Sequence, residues 1–289
     1  MSANQSLQQQ MFVDAHVHIK NAEALSAVLQ AGVGIVRDAG SRERAADGVV
    51  IRPGSGETGP LIVSAGWAIF KPGGYGSVFG IAVDGPDRIR TEIIRLATAG
   101  AAIIKVMASG MVSLRNPGTV TPGGFSEEEL AFIVRESFTA GLGVMAHANG
   151  ERAIIAAARA GVRSIEHGFF MTRAALEIMA AKGVYWTPTV GALVRAADEA
   201  GISAEAKKFA DRLVTLHLQM IGNAYELGVP LAIGTDCVLP RNDYNAVYRN
   251  ELAYFEQAGI PGSEVLRIAA EGGAKLVLPD GRHGRKHQR

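Results

Sequence analysis

Short, nearly continuous apolar runs recur along the chain, and each is followed by a longer stretch in which apolar residues return every three or four positions. The runs predict strands near residues 12–15, 34–37, 61–65, 102–107, 142–146, 164–166, 184–187 and 230–234. Continuous rather than alternating hydrophobicity marks parallel strands covered by helices. The intervening segments predict helices near 88–98, 127–140, 151–160, 173–181 and 204–227. Ser126 followed by Glu129 reads as a capping box at the start of the second helix. Gly100, Gly141, Gly161, Gly183 and Gly228 close the helices, where the backbone must turn left-handed before the next strand. Eight strands alternating with helices predict an α/β fold of the (β/α)8 TIM-barrel type rather than an open doubly wound sheet. The first strand–helix turn carries no glycine-rich phosphate fingerprint, which also weighs against a dinucleotide-binding fold. Two Gly/Pro-rich connections, 67–85 and 109–124, follow strands and so belong on the rim where barrel chemistry occurs. There they form either a lid or wall, or ordinary mobile insertions.

The chain has 289 residues, 48% of them hydrophobic and 20% charged, which is enough apolar material for one large core. The expected organisation is a polar N-terminal tail (1–10), a barrel (11–278) and a basic C-terminal tail (279–289). A net charge of +1 provides no global field for nucleic acid or an anionic membrane surface. Apart from the basic tail, which reads as a solvated terminus, the chain is mildly acidic. One cysteine, Cys237, excludes an intrachain disulfide and suits a reducing compartment. Residues 1–10 lack the basic and apolar regions of a signal peptide, and no apolar run is long enough to span a bilayer, so the expectation is a cytoplasmic protein.

Four of the seven histidines, His16, His18, His147 and His167, fall at or just beyond predicted strand ends. Side chains there converge on one mouth in a barrel. His16 and His18, two apart, point to the same side of a strand, and Asp14 points with them. A lone histidine on an apolar face is more often a satisfied core residue. Four at four rim positions, with Asp236 closing the eighth predicted strand, match the imidazole and carboxylate donors that zinc-like divalent ions take. Lys105 lies within Ala102-Ile-Ile-Lys-Val-Met, an apolar strand that would bury its amine and lower its pKa. A neutral lysine amine can add CO2 to give a carbamate, an anion able to bridge two metals. Taken alone, Lys105 is better read as snorkelling out of the barrel or pairing with a buried acid.

Phe12-Val-Asp-Ala-His-Val-His resembles the HxH signature of the amidohydrolase superfamily. The chain is more closely similar to the imidazolonepropionase-like branch that includes metal-dependent Xaa-Pro and Xaa-Arg/Lys dipeptidases. The likeness continues through Ile35-Val-Arg-Asp-Ala-Gly, Ile104-Lys-Val-Met-Ala-Ser-Gly, Met145-Ala-His-Ala-Asn-Gly, Ser164-Ile-Glu-His-Gly, Trp186-Thr-Pro-Thr and Ala232-Ile-Gly-Thr-Asp, with a weaker Asn250-Glu-Leu. The resemblance implies that His16 and His18 hold the more buried of two divalent ions, expected to be Zn2+, and that His147 and His167 hold the second. It implies a carboxylated Lys105 as the bridge, and Asp236 as both ligand and general base toward a metal-bridging hydroxide. The expected reaction is hydrolysis of a C–N amide bond in a small molecule, a dipeptide or N-acyl amino acid first and a cyclic amide next. The alternatives are a mononuclear deaminase or lactonase type, and a catalytically inactive metal-binding barrel.

Departures from the pattern bear on the substrate. Many relatives carry His-Ala-His-Gly where this chain has His147-Ala-Asn149-Gly, so Asn149 becomes a candidate substrate contact. The loop after Asp236 often contains a histidine in relatives; here Arg241 stands nearby, either a candidate for binding a carboxylate or a plain surface arginine. Phe170 and Trp186 are candidate pocket walls, as are Phe169 and Tyr185, with core packing the alternative. His217, in the middle of a predicted helix, is expected to be structural or exposed, and Cys237 a small packed residue. Relatives usually add a β-sandwich built from both termini. A barrel without one would expose apolar surface that homo-oligomerisation would cover.

Overall fold

The computed structural model describes residues 11–20, 25–42, 59–199 and 201–278. The tails expected at 1–10 and 279–289 lie outside the described residues. In chain order the strands are β1 (Phe12–Ile19), β2 (Val33–Asp38), β3 (Leu61–Ser64), β4 (Ala68–Phe70), β5 (Gly80–Ala82), β6 (Ile103–Met107), β7 (Gly143–Ala148), β8 (Ser164–His167), β9 (Tyr185–Thr187) and β10 (Cys237–Leu239). They form two parallel sheets, ordered β10-β1-β2-β3 and β5-β4-β6-β7-β8-β9. The apolar runs are buried along most of their length, as strands covered by helices require.

Backbone hydrogen bonds join the sheets on both sides. Ala102 N donates to Ser64 O at 2.9 Å, which sets β6 beside β3. On the other side the segment after Pro230 runs between β9 and β1. Trp186 N donates to Pro230 O at 2.9 Å, Ala232 N to Trp186 O at 3.0 Å, and Ala15 N to Ile233 O at 2.8 Å. The architecture is a parallel α/β fold of the TIM-barrel type.

One strand expectation and one loop expectation need correction. Residues 230–234 occupy the eighth position but make only an isolated bridge, Trp186 to Leu231. The ladder stops because Thr235 N donates to the Asp14 carboxylate (3.0 Å) instead of to a neighbouring carbonyl. The 67–85 connection is not wholly loop: buried Ala68, Ile69 and Phe70 form β4, which pairs with β6, and β5 pairs with β4.

The expected helices are observed at Pro86–Ala99, Glu127–Thr139, Glu151–Ala160, Arg173–Lys182 and Ala204–Glu226. The Ser126–Glu129 capping box is formed at both bonds. Gly100, Gly161 and Gly183 cap their helices with φ of 94°, 88° and 65°, which a residue with a Cβ adopts only under strain. Helices Val190–Ala197 and Tyr244–Gln257 were not expected. Apolar faces of the helices pack on the outside of the sheets around Val36, Ile69, Ile93, Ile104, Leu130 and Ile165. The barrel interior is different: Arg37, Lys105, Ser164 and Glu166 are all buried there, below the mouth. Among the described residues no helix is long and apolar enough to cross a membrane.

Candidate metal centre

β1 carries His16 and His18 into the mouth with the Nδ1 atom of each ring already engaged. His16 Nδ1 lies 2.8 Å from Glu166 Oε2, and His18 Nδ1 lies 2.8 Å from Gly40 O. A carboxylate and a carbonyl only accept, so each Nδ1 carries the proton and each Nε2 presents a lone pair. Both lone pairs face Asp236: its Oδ1 is 3.5 Å from His16 Nε2 and 3.4 Å from His18 Nε2. One donor atom from each of His16, His18 and Asp236 lies within 4.8 Å of the other two, close enough to share one cation. Asp236 reaches this position with φ at 52°, left-handed backbone that suits a residue held by its surroundings.

The other histidines complete the mouth. The ring of His167 stands 5.0 Å from that of His16, and 4.5 Å from that of His147. His147 Nε2 lies 3.0 Å from Gly110 O, which leaves its Nδ1 free, and His167 Nδ1 lies 2.7 Å from Thr189 Oγ1. Lys105, between β4 and β7 in the register, is 1% exposed. Its Nζ and His16 Nε2 are buried polar atoms with no hydrogen-bond partner. Native interiors rarely tolerate such orphans unless a ligand satisfies them.

Electrostatics follow from this burial. Desolvation, then Lys105, lowers His16 to about 4 and His147 to about 3, and desolvation takes His167 well below the usual imidazole range. All three are neutral donors at neutral pH. Burial also brings the Lys105 amine down to about 8, against the pull of Glu166 and Asp236. Burial alone would raise Asp236; the downward pull comes from His16, His18 and His167 when protonated, a positive charge that a cation among the same rings would supply once they are neutral.

Beneath the ligands lies a polar network that the sequence motifs contained but to which no role had been given. Arg37 Nη2 donates to Glu166 Oε1 (2.8 Å), Nη1 to Ser164 Oγ (3.0 Å) and Nε to Ala15 O (2.6 Å). Ser164 Oγ also donates to Glu166 Oε1. Against its own desolvation, Glu166 is held at about 2, chiefly by Arg37 and then His16. The sequence signal was a charge of each sign inside an apolar strand run. Asp14 points away from the ligand cluster: its carboxylate accepts from Thr235 N, Thr235 Oγ1 (2.6 Å) and Tyr244 Oη (3.0 Å), which pins the strand that ends in Asp236. Two aromatic residues absent from the sequence reading border the site. The Tyr75 ring lies 4.9 Å from that of His147 and Phe79 4.5 Å from that of His18.

The expected substrate contacts divide. Asn149 is buried, with Oδ1 accepting from Phe169 N (3.1 Å) and Nδ2 donating to Gly110 O (3.3 Å), the carbonyl that also takes the His147 Nε2 proton. It acts on His147 through that carbonyl. Phe170, half-buried at φ 62°, packs with Val112 and Leu114 against the Phe169–Leu193 cluster and remains a wall candidate. Trp186 does not line a pocket: it is fully buried, and its indole donates to His167 O at 2.9 Å. Arg241 is occupied by Asp243, with Nη2 2.8 Å from Oδ2. Phe169 is core, its ring 4.4 Å from that of His217. His217 is buried, not exposed, and Cys237 is buried and free.

Comparison with known proteins bears directly on this geometry. The Amidohydrolase family matches residues 12–278, nearly the whole chain. Ochratoxinase of Aspergillus niger is 30% identical over 207 residues, covering 62% of this chain but only 42% of that enzyme, so the chain spans less than half of its length. A solved prolidase complexed with N-methylphosphonate-L-proline is 27% identical, with a TM-score of 0.72 over 93% of this chain and 74% of that one. A Xaa-Pro dipeptidase with bound methionine, 23% identical over 93% of this chain and 75% of its own, shares the fold at a TM-score of 0.74. With the match running from the first strand to the last helix and the histidines, lysine and aspartate meeting at one mouth, this chain belongs to the amidohydrolase family.

Proposed function

We propose that the protein is a binuclear metal-dependent hydrolase of C–N amide bonds in small molecules. The observation that carries the reading is the convergence of His16, His18 and Asp236 within 4.8 Å, beside two orphaned buried nitrogens, His16 Nε2 and Lys105 Nζ. The donor set is neutral imidazole plus carboxylate, which fits Zn2+. His16, His18 and Asp236 would hold one ion, and His147 and His167 the other.

Lys105 would lie between them as a carbamate. With its pKa near 8, a useful fraction of the amine is neutral at physiological pH. The amine nitrogen adds to the carbon of CO2, forming an N–C bond, and one proton leaves to solvent. The product is an anion where the apolar strand otherwise buries an unpaired amine. When bound, the ions supply Lewis-acid polarisation of the amide carbonyl and make water more acidic.

The chain's own residues handle the proton. Asp236, held ionised, accepts a proton from the attacking water on a carboxylate oxygen and passes it to the departing nitrogen. Gly110 O, itself held by Asn149, fixes the His147 ring, and Glu166 fixes the His16 ring. Tyr75 and Phe79 shield one side from water. The leading substrates are dipeptides and N-acyl amino acids, a choice supported by the prolidase and ochratoxinase likenesses. The reading places the protein in the cytoplasm, acting on a small-molecule substrate.

Asp236→Asn keeps the shape of the side chain and removes the proton acceptor. The expected result is loss of at least about a hundredfold in turnover, as for removal of a general base, while much of the bound metal is kept. Screening metal-loaded protein against a library of dipeptides and N-acyl amino acids supplies the assay. Undiminished hydrolysis by the variant would refute the role of Asp236.

A further inference from the structure

The segment after β9 reaches two ligands that belong to different halves of the site. Thr189 lies in left-handed backbone, φ 49°, an uncommon setting for a β-branched residue, and its hydroxyl is 2.7 Å from His167 Nδ1. Six residues later, Arg195 Nη2 donates to Thr235 O at 2.6 Å and to Asp236 O at 3.2 Å. Helix Val190–Ala197 connects the two contacts. No side chain from its own N-terminus caps it.

The cap comes from another helix. Glu251, on helix Tyr244–Gln257 and fully buried, accepts from Val190 N through Oε1 (2.7 Å) and from Gly191 N through Oε2 (2.9 Å). The carboxyl group thus meets two of the backbone donors that a helix start leaves free. Gly191 permits this closeness: a Cβ there would lie 2.9 Å from Arg195 Nη1 and 3.0 Å from Glu251 Oε2. Glu251 touches no candidate ligand, and the proposed chemistry does not use it.

We propose that Glu251 and helix Val190–Ala197 form a positioning clamp that holds His167, through Thr189, and Asp236, through Arg195, in one fixed relation. The clamp rests on the metal-centre reading. Its distinctive consequence is coupling. Loosening the helix start disturbs both halves of the site together, whereas removing the Thr189 hydroxyl disturbs His167 alone.

The test is a cobalt titration of metal-free full-length protein against a competing chelator, with the visible spectrum of bound Co2+ and metal-free melting curves recorded alongside. Glu251→Gln keeps the volume but sets an amide donor against a backbone N–H. Arg195→Met, at a half-buried position, frees the Thr235 and Asp236 carbonyls and removes the guanidinium that lies beside Gly191 and Glu251, while leaving the two Glu251 bonds to Val190 N and Gly191 N able to form. Thr189→Val removes only the hydroxyl. Glu251→Gln is expected to weaken both cobalt equivalents by roughly 10–100-fold, the range seen when groups supporting metal ligands are lost, and to shift the spectrum. Arg195→Met weakens the equivalent held by Asp236, and Thr189→Val the one held by His167. Wild-type cobalt affinities and spectrum in both Glu251→Gln and Arg195→Met, with only the melting curve lowered, would overturn the clamp while leaving the metal centre standing. Failure of the wild-type protein to bind cobalt would overturn the metal centre and the clamp with it.

Discussion

His16 presents its Nε2 lone pair to the mouth because its Nδ1–H donates to Glu166, and Glu166 keeps its charge because Arg37 faces it from β2. This chain of contacts makes a specific demand on Glu166→Gln. The amide can still accept from Arg37, but it no longer offers His16 Nδ1 an anion, so the ring loses both basicity and a fixed tautomer. Metal affinity is expected to fall by roughly 10–100-fold, read by chelator competition, and an unchanged affinity would show that the Arg37–Glu166 pair serves stability alone. His217 makes a separate demand at the same scale. Burial lowers it to about 4, with a partial offset from Pro188 O, and its ring lies 4.4 Å from that of Phe169 and edge-on, at 5.2 Å, to that of Trp186. The folded protein therefore refuses a proton that the unfolded chain accepts below about 6.5. Stability from this residue is complete above that pH and drains away as pH falls toward 4, by up to roughly 3 kcal/mol over the window. His217→Gln, which can still donate to Pro188 O, is expected to show a shallower loss of stability in acid denaturation between pH 6.5 and 4. An equally steep loss would rule out His217 as a contributor.

Among the elements, the two long connections act as one wall. Gly74 and Gly123 touch backbone to backbone: a Cβ on Gly123, which has φ of 128°, would stand 2.7 Å from Gly74 Cα. Lys71 pairs with Glu129 (2.5 Å), and the same Glu129 completes the capping box of helix Glu127–Thr139. One connection sets Tyr75 against His147, and the other places Gly110 O on its Nε2. Gly123→Ala is therefore expected to destabilise the protein by about 1–3 kcal/mol and to lower turnover through His147. A thermal shift and a rate both within error of wild type would show that the wall is slack. The connections themselves were legible as rim insertions, since glycine and proline punctuate them. The strands inside one of them were not. Three-residue β4 is held by β6, and β5 in turn by β4, neighbours that local pattern cannot supply. The short helix Val190–Ala197 has no local signal for a similar reason: its cap is Glu251, about sixty residues away in the chain.

For the molecule as a whole, hydrophobic periodicity was enough to indicate a parallel barrel, and strand-end histidines were enough to indicate where its chemistry lies. Position along a strand fixes which end a side chain occupies, and a barrel brings all such ends together. What periodicity does not encode is contact between strands far apart in sequence. Arg37 and Glu166 meet across 129 positions, and their partnership becomes visible only when β2 and β8 face the same interior. The eighth strand was placed correctly but not its hydrogen bonding, because Asp14 captures the Thr235 amide. Trp186 and Arg241 show the opposite limit. Residue type nominated them for substrate contact, but the core and Asp243 had already claimed them. The proposed chemistry requires a pair of ions held by six side chains. Elemental analysis of zinc-supplemented protein measures this directly, with Lys105→Ala prepared in parallel. Two ions per chain are expected in the wild type, with loss from the Lys105→Ala protein and partial recovery on adding a short-chain carboxylate. A wild-type protein that emerges without metal, or a Lys105→Ala protein that retains a full complement, would contradict the account.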